Sequence, residues 1–225
     1  MSLSINNECG KAGENEKKAA HGAVGCESGA AHAFYKKYVK RCFDIILSGL
    51  GIVIFALPML IIKLIIKKED PGHAVFVQKR SGLNKRPFNI YKFRTMKMTA
   101  PANVPTRDFT DYDRYTLHCG RALRKLSLDE LPQLFNIFRG EMSFVGPRPV
   151  ILEEQDLINE RDKYGANAVL PGLTGLAQIS GRDEVDFVTK ARLDGDYAKG
   201  LSFLLDVKIL LGTVKKVLKG EGVRG

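Results

Sequence analysis

The strongest feature of the hydrophobic pattern is an uncharged run from Ile45 to Ile62, eighteen residues long. As a helix it extends about 27 Å, at the lower limit for crossing a bilayer core. Pro58 lies inside it, where a missing backbone donor and a clash with the preceding turn predict a bend or break. Both flanks are basic, with Lys36, Lys37, Lys40 and Arg41 before the run and Lys63, Lys67 and Lys68 after it. Cationic flanks favour the cytoplasmic side. A spanning helix strands one cluster outside, whereas a helix that turns at Pro58 and returns keeps both inside. The pattern therefore predicts a re-entrant membrane hairpin over residues 34–68. Asp44 needs a partner in such surroundings. Lys40 and Arg41, four and three residues earlier on the same helix face, are the expected clamp.

Beyond the run the period changes. From Ala74 to Arg94 the chain alternates in a strand-like way, beginning with Val75 and Val77. Phe88, Ile90 and Lys92 then fall on one side, with Tyr91 and Phe93 on the other. The turn-rich Ser81–Pro87 between them predicts a β-hairpin. Residues 97–116 are polar and irregular and read as a mobile loop. Helical segments are expected near 110–124, 129–139, 150–164 and 184–199. From Phe203 to Leu218, a stripe of Phe203, Val207, Leu210, Val214 and Val217 is surrounded by Lys208, Lys215, Lys216 and Lys219. Such a helix packs on a core or lies among lipid headgroups. The first thirty-three residues lack any apolar period and read as a disordered tail without signal-peptide order. The expectation is a mainly helical α+β chain in three parts: tail 1–33, re-entrant hairpin 34–68, and a cytosolic catalytic domain 69–225 with a β-hairpin and amphipathic interfacial helices.

Charge narrows the function. A net charge of +10 calls for an anionic partner or surface. With 8% aromatics and no nucleic-acid-binding motif, nucleic acid is disfavoured. Cys9, Cys26, Cys42 and Cys119 show no CxxC spacing, and His21, His32, His73 and His118 are scattered, which argues against a histidine metal site.

The chemistry-bearing stretch runs from Leu117 to Pro149. Asp129 and Glu130 stand side by side in a basic neighbourhood. Ser127-Leu128-Asp129-Glu130 fits the S-x-x-E helix start, or Asp129 is itself the N-cap with Pro132 in the first turn. Either way the carboxylates lie at a helix N-terminus, which attracts anions. One reading makes them caps only. The cations support another: Arg121, Arg124 and Lys125 precede the pair, and Arg139 and Arg148 follow. Arginine forks suit phosphate oxygens. Gly146-Pro147-Arg148-Pro149 is a stiff turn that holds its arginine. Lys92 and Arg94 end a predicted strand. The glycine-rich Pro171–Arg182 segment, with Gln178 and Arg182, brings backbone near a nucleotide or simply turns the chain.

Taken in order, these motifs are Lys40-Arg41-x-x-Asp44, the proline-interrupted helix, Lys92-Phe93-Arg94-Thr95-Met96 and Ser127-Leu128-Asp129-Glu130-Leu131-Pro132-Gln133. Met142–Pro149 and Pro171-Gly172-Leu173-Thr174-Gly175 complete the series. Over residues 36 to about 210 the chain resembles the bacterial sugar transferases of the monotopic phosphoglycosyl transferase family. It resembles the small members, without the added N-terminal transmembrane domain of the large ones. The resemblance implies transfer of a phosphosugar from a UDP-sugar to polyprenyl (undecaprenyl) phosphate, at the cytoplasmic face of a bacterial inner membrane. It assigns Asp129 as nucleophile and as ligand of Mg²⁺, with UMP expelled and an aspartyl phosphosugar formed. Glu130 then orients the acceptor or tunes Asp129. A phosphate monoester is already mostly ionised near neutral pH and makes little demand on a base. Lys92, Arg94, Arg124, Arg148, Gly146, Gln178 and Arg182 are the expected substrate-binding residues. Two rivals stand beside this: a metal-dependent glycosyltransferase using Asp111-Tyr112-Asp113, and a non-catalytic membrane scaffold.

Overall fold

The computed structural model describes residues 34–101, 112–181 and 186–219. The predicted tail, residues 102–111 of the predicted mobile loop (Asp111 among them) and Arg182 lie outside the described residues. After a π-helical turn at Tyr35–Val39, α1 (Lys40–Ile54) and α2 (Ala56–Glu69) form the hairpin region. The β-hairpin follows as β1 (Val75–Ser81) and β2 (Pro87–Phe93), antiparallel, with Val75 opposite Phe93 and Ser81 opposite Pro87. One helical turn at Tyr112–Tyr115 precedes α3 (His118–Lys125), a 3₁₀ turn at Leu128–Glu130, and α4 (Gln133–Arg139). The remainder is β3 (Ser143–Val145), α5 (Gln155–Tyr164), β4 (Gly172–Thr174), α6 (Leu176–Ser180), α7 (Phe187–Gly200) and α8 (Phe203–Lys219). β3 and β4 pair in parallel. The mainly helical class and the β-hairpin agree with the sequence pattern.

The break in the apolar run falls at Phe55, three residues before Pro58, and bends the two helices by 59°. Pro58 has no N–H to donate to the Ile54 carbonyl, and its ring crowds that same group. The distortion is therefore displaced into the preceding turn. Pro58 itself sits in the first turn of α2, where a missing N–H is harmless. Among the described residues no single helix is long and apolar enough to cross a membrane. The bent pair passes that test of length and composition only when taken together.

Helix α1 is inside out. Its buried residues are Lys40, Asp44 and Ser48, at i, i+4 and i+8, while Ile46, Leu50, Val53 and Ile54 are exposed. The expected local clamp between Asp44 and Lys40 or Arg41 is replaced by long-range partners. Asp44 accepts from Ser143 Oγ and the Phe144 N–H, both at 3.0 Å. Lys40 pairs with Asp206 at 2.6 Å, and Arg41 donates to the Ile137 and Phe138 carbonyls at 2.6 and 2.7 Å. An i,i+4 pair on one helix contributes only a few tenths of a kcal/mol. Partners presented by the globular part bond Lys40, Arg41 and Asp44 Oδ1 directly, while the buried Asp44 Oδ2 has no hydrogen-bond partner. Gly51 lets the helix close on Leu134 of α4: an added Cβ there would meet the leucine at 3.2 Å.

Strand β2 packs on both faces. Ile90 joins Leu134, Ile137 and Met142, whereas Phe93 joins Ile62, Ile66, Leu117 and Leu123. A third core gathers Val145, Val169, Tyr197, Leu201 and Ile209, so α7 and α8 close over β3. On α8, Leu205, Asp206 and Ile209 turn inward together with Leu210, the one residue of the predicted stripe that packs on this core. Phe203, Val214 and Val217 of the predicted stripe are exposed, as are Leu204 and Leu211. The buried Asp206 accepts from Lys40, Tyr35 and Tyr197, and this rotates the helix.

Candidate active site

Helix α3 begins where Glu69, the last residue of α2, accepts from the His118 and Cys119 N–H groups, the latter at 3.0 Å. Gly120 lets α3 close on the strand exit, since a Cβ there would stand 2.3 Å from the Thr95 carbonyl oxygen. One turn later Arg124 donates its Nε to Thr95 Oγ1 at 2.8 Å. The helix ends at Lys125, and Ser127 takes a left-handed conformation (φ 54°) that redirects the chain. No side-chain cap bond forms there, so the predicted capping box is absent: Ser127 is left-handed, whereas a capping residue is typically extended. Leu128 and Leu131, eclipsed at i,i+3 in a 3₁₀ turn, pack against the core around Ile66 and Phe93. Asp129 and Glu130 are the two positions between them and stay partly exposed. They stand one turn ahead of α4, whose first residue is Gln133.

Around this turn the cations divide. Glu130 Oε1 accepts from Lys92 Nζ at 2.8 Å and lies 3.8 Å from an Arg148 guanidinium nitrogen. Asp129 feels Lys92 and Arg124 but forms no ion pair among the described residues. Burial, and then the Glu130 charge, push its carboxyl above the ordinary value, while Lys92 and Arg124 pull it back. Burial lowers Lys92, which Glu130 opposes, and burial likewise lowers Arg124. The site therefore holds a desolvated carboxylate without a fixed partner inside a positive field. Such a group is a candidate nucleophile or metal ligand.

A small cleft beside Glu130 is lined by Lys92, Ile90, Arg148, Pro149, Gly172 and Leu173, together with Arg80 and Gln133. The last two were not among the residues expected from sequence. Arg80 pairs across the hairpin with Phe88, so it shares the face of Ile90 and Lys92. Period-two reading of β1 with the hairpin register would have found it. Gln133 had no signal beyond its place in the Leu-Pro-Gln motif.

A sequence model for bacterial sugar transferases matches residues 35–220, across the hairpin, the carboxylate turn and the cleft. The chain belongs to the bacterial sugar transferase family. It is 38% identical over 200 residues to an undecaprenyl-phosphate galactose phosphotransferase of Salmonella typhimurium, covering 83% of this chain and 42% of that protein. It is 40% identical over 187 residues to an undecaprenyl-phosphate glucose phosphotransferase of Komagataeibacter xylinus, covering 79% and 35%. To the sugar transferase EpsL of Bacillus subtilis it is 39% identical over 186 residues, covering 83% and 90%. The chain thus spans less than half of the first two relatives and most of the third.

In this sugar transferase the other expected residues are placed as follows. Arg94 is buried in a structural role: it pairs with Asp70 and donates to the His73 carbonyl at 2.7 Å. Gly146 uses its N–H in a 2.8 Å bond to the Thr174 carbonyl, and a Cβ there would lie 2.3 Å from the Leu170 carbonyl oxygen. Its lack of a side chain serves strand packing, and its amide is not available to a ligand. Gln178 is buried in α6, donating to the Leu173 carbonyl at 3.2 Å. Asp113 of the D-x-D triplet is exposed and pairs with Arg121 at 3.1 Å.

No cluster of three or more His, Cys, Asp or Glu gathers to cage an ion among the described residues. Mg²⁺ needs less: one or two carboxylates, with water and substrate phosphates completing the shell. Two adjacent carboxylates, one without a cationic partner, fit that limited oxygen donor set.

Proposed function

We propose that this chain transfers a sugar phosphate from a UDP-sugar to polyprenyl phosphate at a membrane surface. The observation that carries the reading is Asp129, half-desolvated, in the field of Lys92 and Arg124, and free of any ion pair among the described residues. A carboxylate oxygen of Asp129 attacks the sugar-linked phosphorus, and the bond from that phosphorus to UMP breaks. The lipid phosphate then attacks the same phosphorus, and the carboxylate leaves unchanged. Splitting one displacement into two is a general use of carboxylate nucleophiles. Lys92 and Arg124 lower the repulsion between an anionic nucleophile and an anionic donor. Glu130 holds Lys92 and Arg148 in place rather than moving a proton, since the acceptor monoester is already ionised. Asp129 would hold Mg²⁺, whose charge would further neutralise the donor phosphates. The Salmonella and Komagataeibacter relatives, named for undecaprenyl phosphate, support the acceptor class.

The geometry of the hairpin supports a re-entrant placement. Arms of fifteen and fourteen residues are about 22 and 21 Å long. Bent by 59° with both basic ends at one interface, they place the apex only about 11 Å deep, within half of a ~30 Å hydrocarbon core. The inside-out burial of α1 and the exposed apolar stripe of α8 suit a lipid boundary. This reading puts the globular part on the cytoplasmic face.

The test is the by-product. The full chain in lipid nanodiscs, given UDP-sugars, Mg²⁺ and a polyprenyl phosphate, releases UMP. Release of UDP instead would establish plain glycosyl transfer. Cysteine labels on the Lys36 and Lys68 flanks in sealed vesicles react from the same side; labelling from opposite sides rejects the re-entrant hairpin.

A further inference from the structure

The cleft on the Glu130 side carries donor capacity that no residue within it satisfies. Three cations face it, Arg80, Lys92 and Arg148, and Glu130 is the carboxylate among its lining residues. Arg80 donates to Gln78 Oε1 at 2.6 Å and to the Pro149 carbonyl at 3.4 Å, while its buried Nε has no partner. Burial and the nearby Arg148 push Arg80 down to about 10, so it stays cationic at neutral pH beside a second guanidinium. Gln133 is only 2% exposed, lines the same cleft, and has an Nε2 without a hydrogen-bond acceptor. Buried donors of this kind are rare in folded proteins and call for a specific explanation. Two of them beside surplus positive charge describe a place built for an anion.

We infer that Arg80 and Gln133, together with Arg148, form an anion pocket that receives a phosphate monoester, first the departing nucleotide and then the incoming lipid phosphate. The inference rests on the two-step reaction above. Both displacements occur in line at one phosphorus. When Asp129 attacks, UMP leaves from the opposite side with the electron pair of the broken P–O bond. In the second step the lipid phosphate must approach opposite Asp129, through the space UMP vacated, and that electron pair returns to the carboxylate. One pocket therefore serves both monoesters in turn. The charges acting on the cations divide in the same sense: Asp129 acts on Arg124, whereas Arg80 feels Arg148 most, then Glu154, Glu153 and Glu130. A monoester dianion offers several oxygens to a guanidinium fork and an amide N–H.

The test is calorimetric titration of UMP into the full chain in nanodiscs, with unfolding midpoints measured alongside. Arg80→Gln and Gln133→Leu each weaken UMP binding by about tenfold or more. Arg80→Lys restores part of the affinity and remains informative if Arg80→Gln does not fold. A short-chain prenyl phosphate displaces UMP competitively. Unchanged UMP affinity in folded Arg80→Gln, or simultaneous binding of UMP and prenyl phosphate, overturns the pocket while leaving UMP release from the donor intact. Conversely, a wild-type chain that releases no UMP, yet binds inorganic phosphate through Arg80, keeps the pocket and rejects the reaction.

Discussion

Two polar clusters in this molecule are completed differently. Beneath α1, Asp206 accepts from Lys40 at 2.6 Å and from Tyr35 and Tyr197 at 2.8 Å each. The Tyr197 hydroxyl also reaches the Val145 carbonyl at 2.9 Å. One cation meets one anion, and each oxygen of that carboxylate has a donor. Around the carboxylate turn, by contrast, Lys92 and Arg124 act on Asp129, while Arg80, Lys92 and Arg148 line the cleft with Glu130. Asp129 has no ion pair among the described residues, and the cleft's Arg80 Nε and Gln133 Nε2 lack acceptors. The first cluster is finished by the protein. The second is finished only by a ligand. Burial and charge alone do not separate structure from chemistry, and unfilled atoms also occur at Asp44 and Asp194; what marks the cleft is unfilled donors beside several cations.

The contrast can be broken or sharpened by substitution. Asp129→Asn should lower UMP release by at least about a thousandfold, as expected for loss of a nucleophile. Its unfolding midpoint should stay at or slightly above that of the parent, because a partly desolvated charge is removed. A variant with near-parental turnover would put Asp129 in the structural class. Asp206→Ala leaves Lys40 buried without a partner and should destabilise the fold by about 3–5 kcal/mol in denaturant melts. Turnover per folded molecule should hold; a loss of turnover at unchanged stability would merge the two clusters.

Glu130→Gln loosens Lys92 and Arg148 without removing the nucleophile. Turnover should drop by roughly ten- to a hundredfold, well short of the Asp129 effect. Equal losses at the two carboxylates would assign Glu130 a direct part in bond making. The smallest effect belongs to a surface control. Lys85 and Asp162 pair at 2.6 Å with both side chains nearly half exposed, which limits the pair to about 0.5 kcal/mol or less. The bond from Lys85, with another from Asn167, holds the Asp162 carboxyl below its ordinary value. The increment is thus present above about pH 4 and is lost as pH falls through the lowered value. Asp162→Asn and the parent should converge in stability at low pH and differ slightly at pH 7.

Much of the architecture was readable because it is local. The β-hairpin follows from alternation across Val75–Phe93 and the turn residues between, whereas the carboxylates fall in a 3₁₀ turn and neither the capping box nor the Asp129 N-cap forms. What was misplaced depends on distant partners. The break moved to Phe55 because proline perturbs the turn before it. The Lys40 and Asp44 partners lie 166 and 99 residues away, beyond any helical spacing rule. The choice between core and headgroups for the α8 stripe could not be made from spacing, because the inward face is set by a buried Asp206 with Leu205 and Ile209. In the site, Lys92, Arg124 and Arg148 do gather about the two carboxylates, whereas Arg94 serves Asp70 and Gly146 serves the strand pairing. Arg80 escaped notice because its face is defined by cross-strand register, which only the folded hairpin reveals.

The most direct measurement is the mass of the protein after incubation with UDP-sugar and Mg²⁺ in the absence of any lipid phosphate, followed by peptide mapping. The account predicts an added sugar phosphate on the peptide carrying Asp129, formed with one equivalent of UMP and discharged when polyprenyl phosphate is supplied. Unmodified protein under these conditions, with UMP appearing only once the lipid is present, would contradict it.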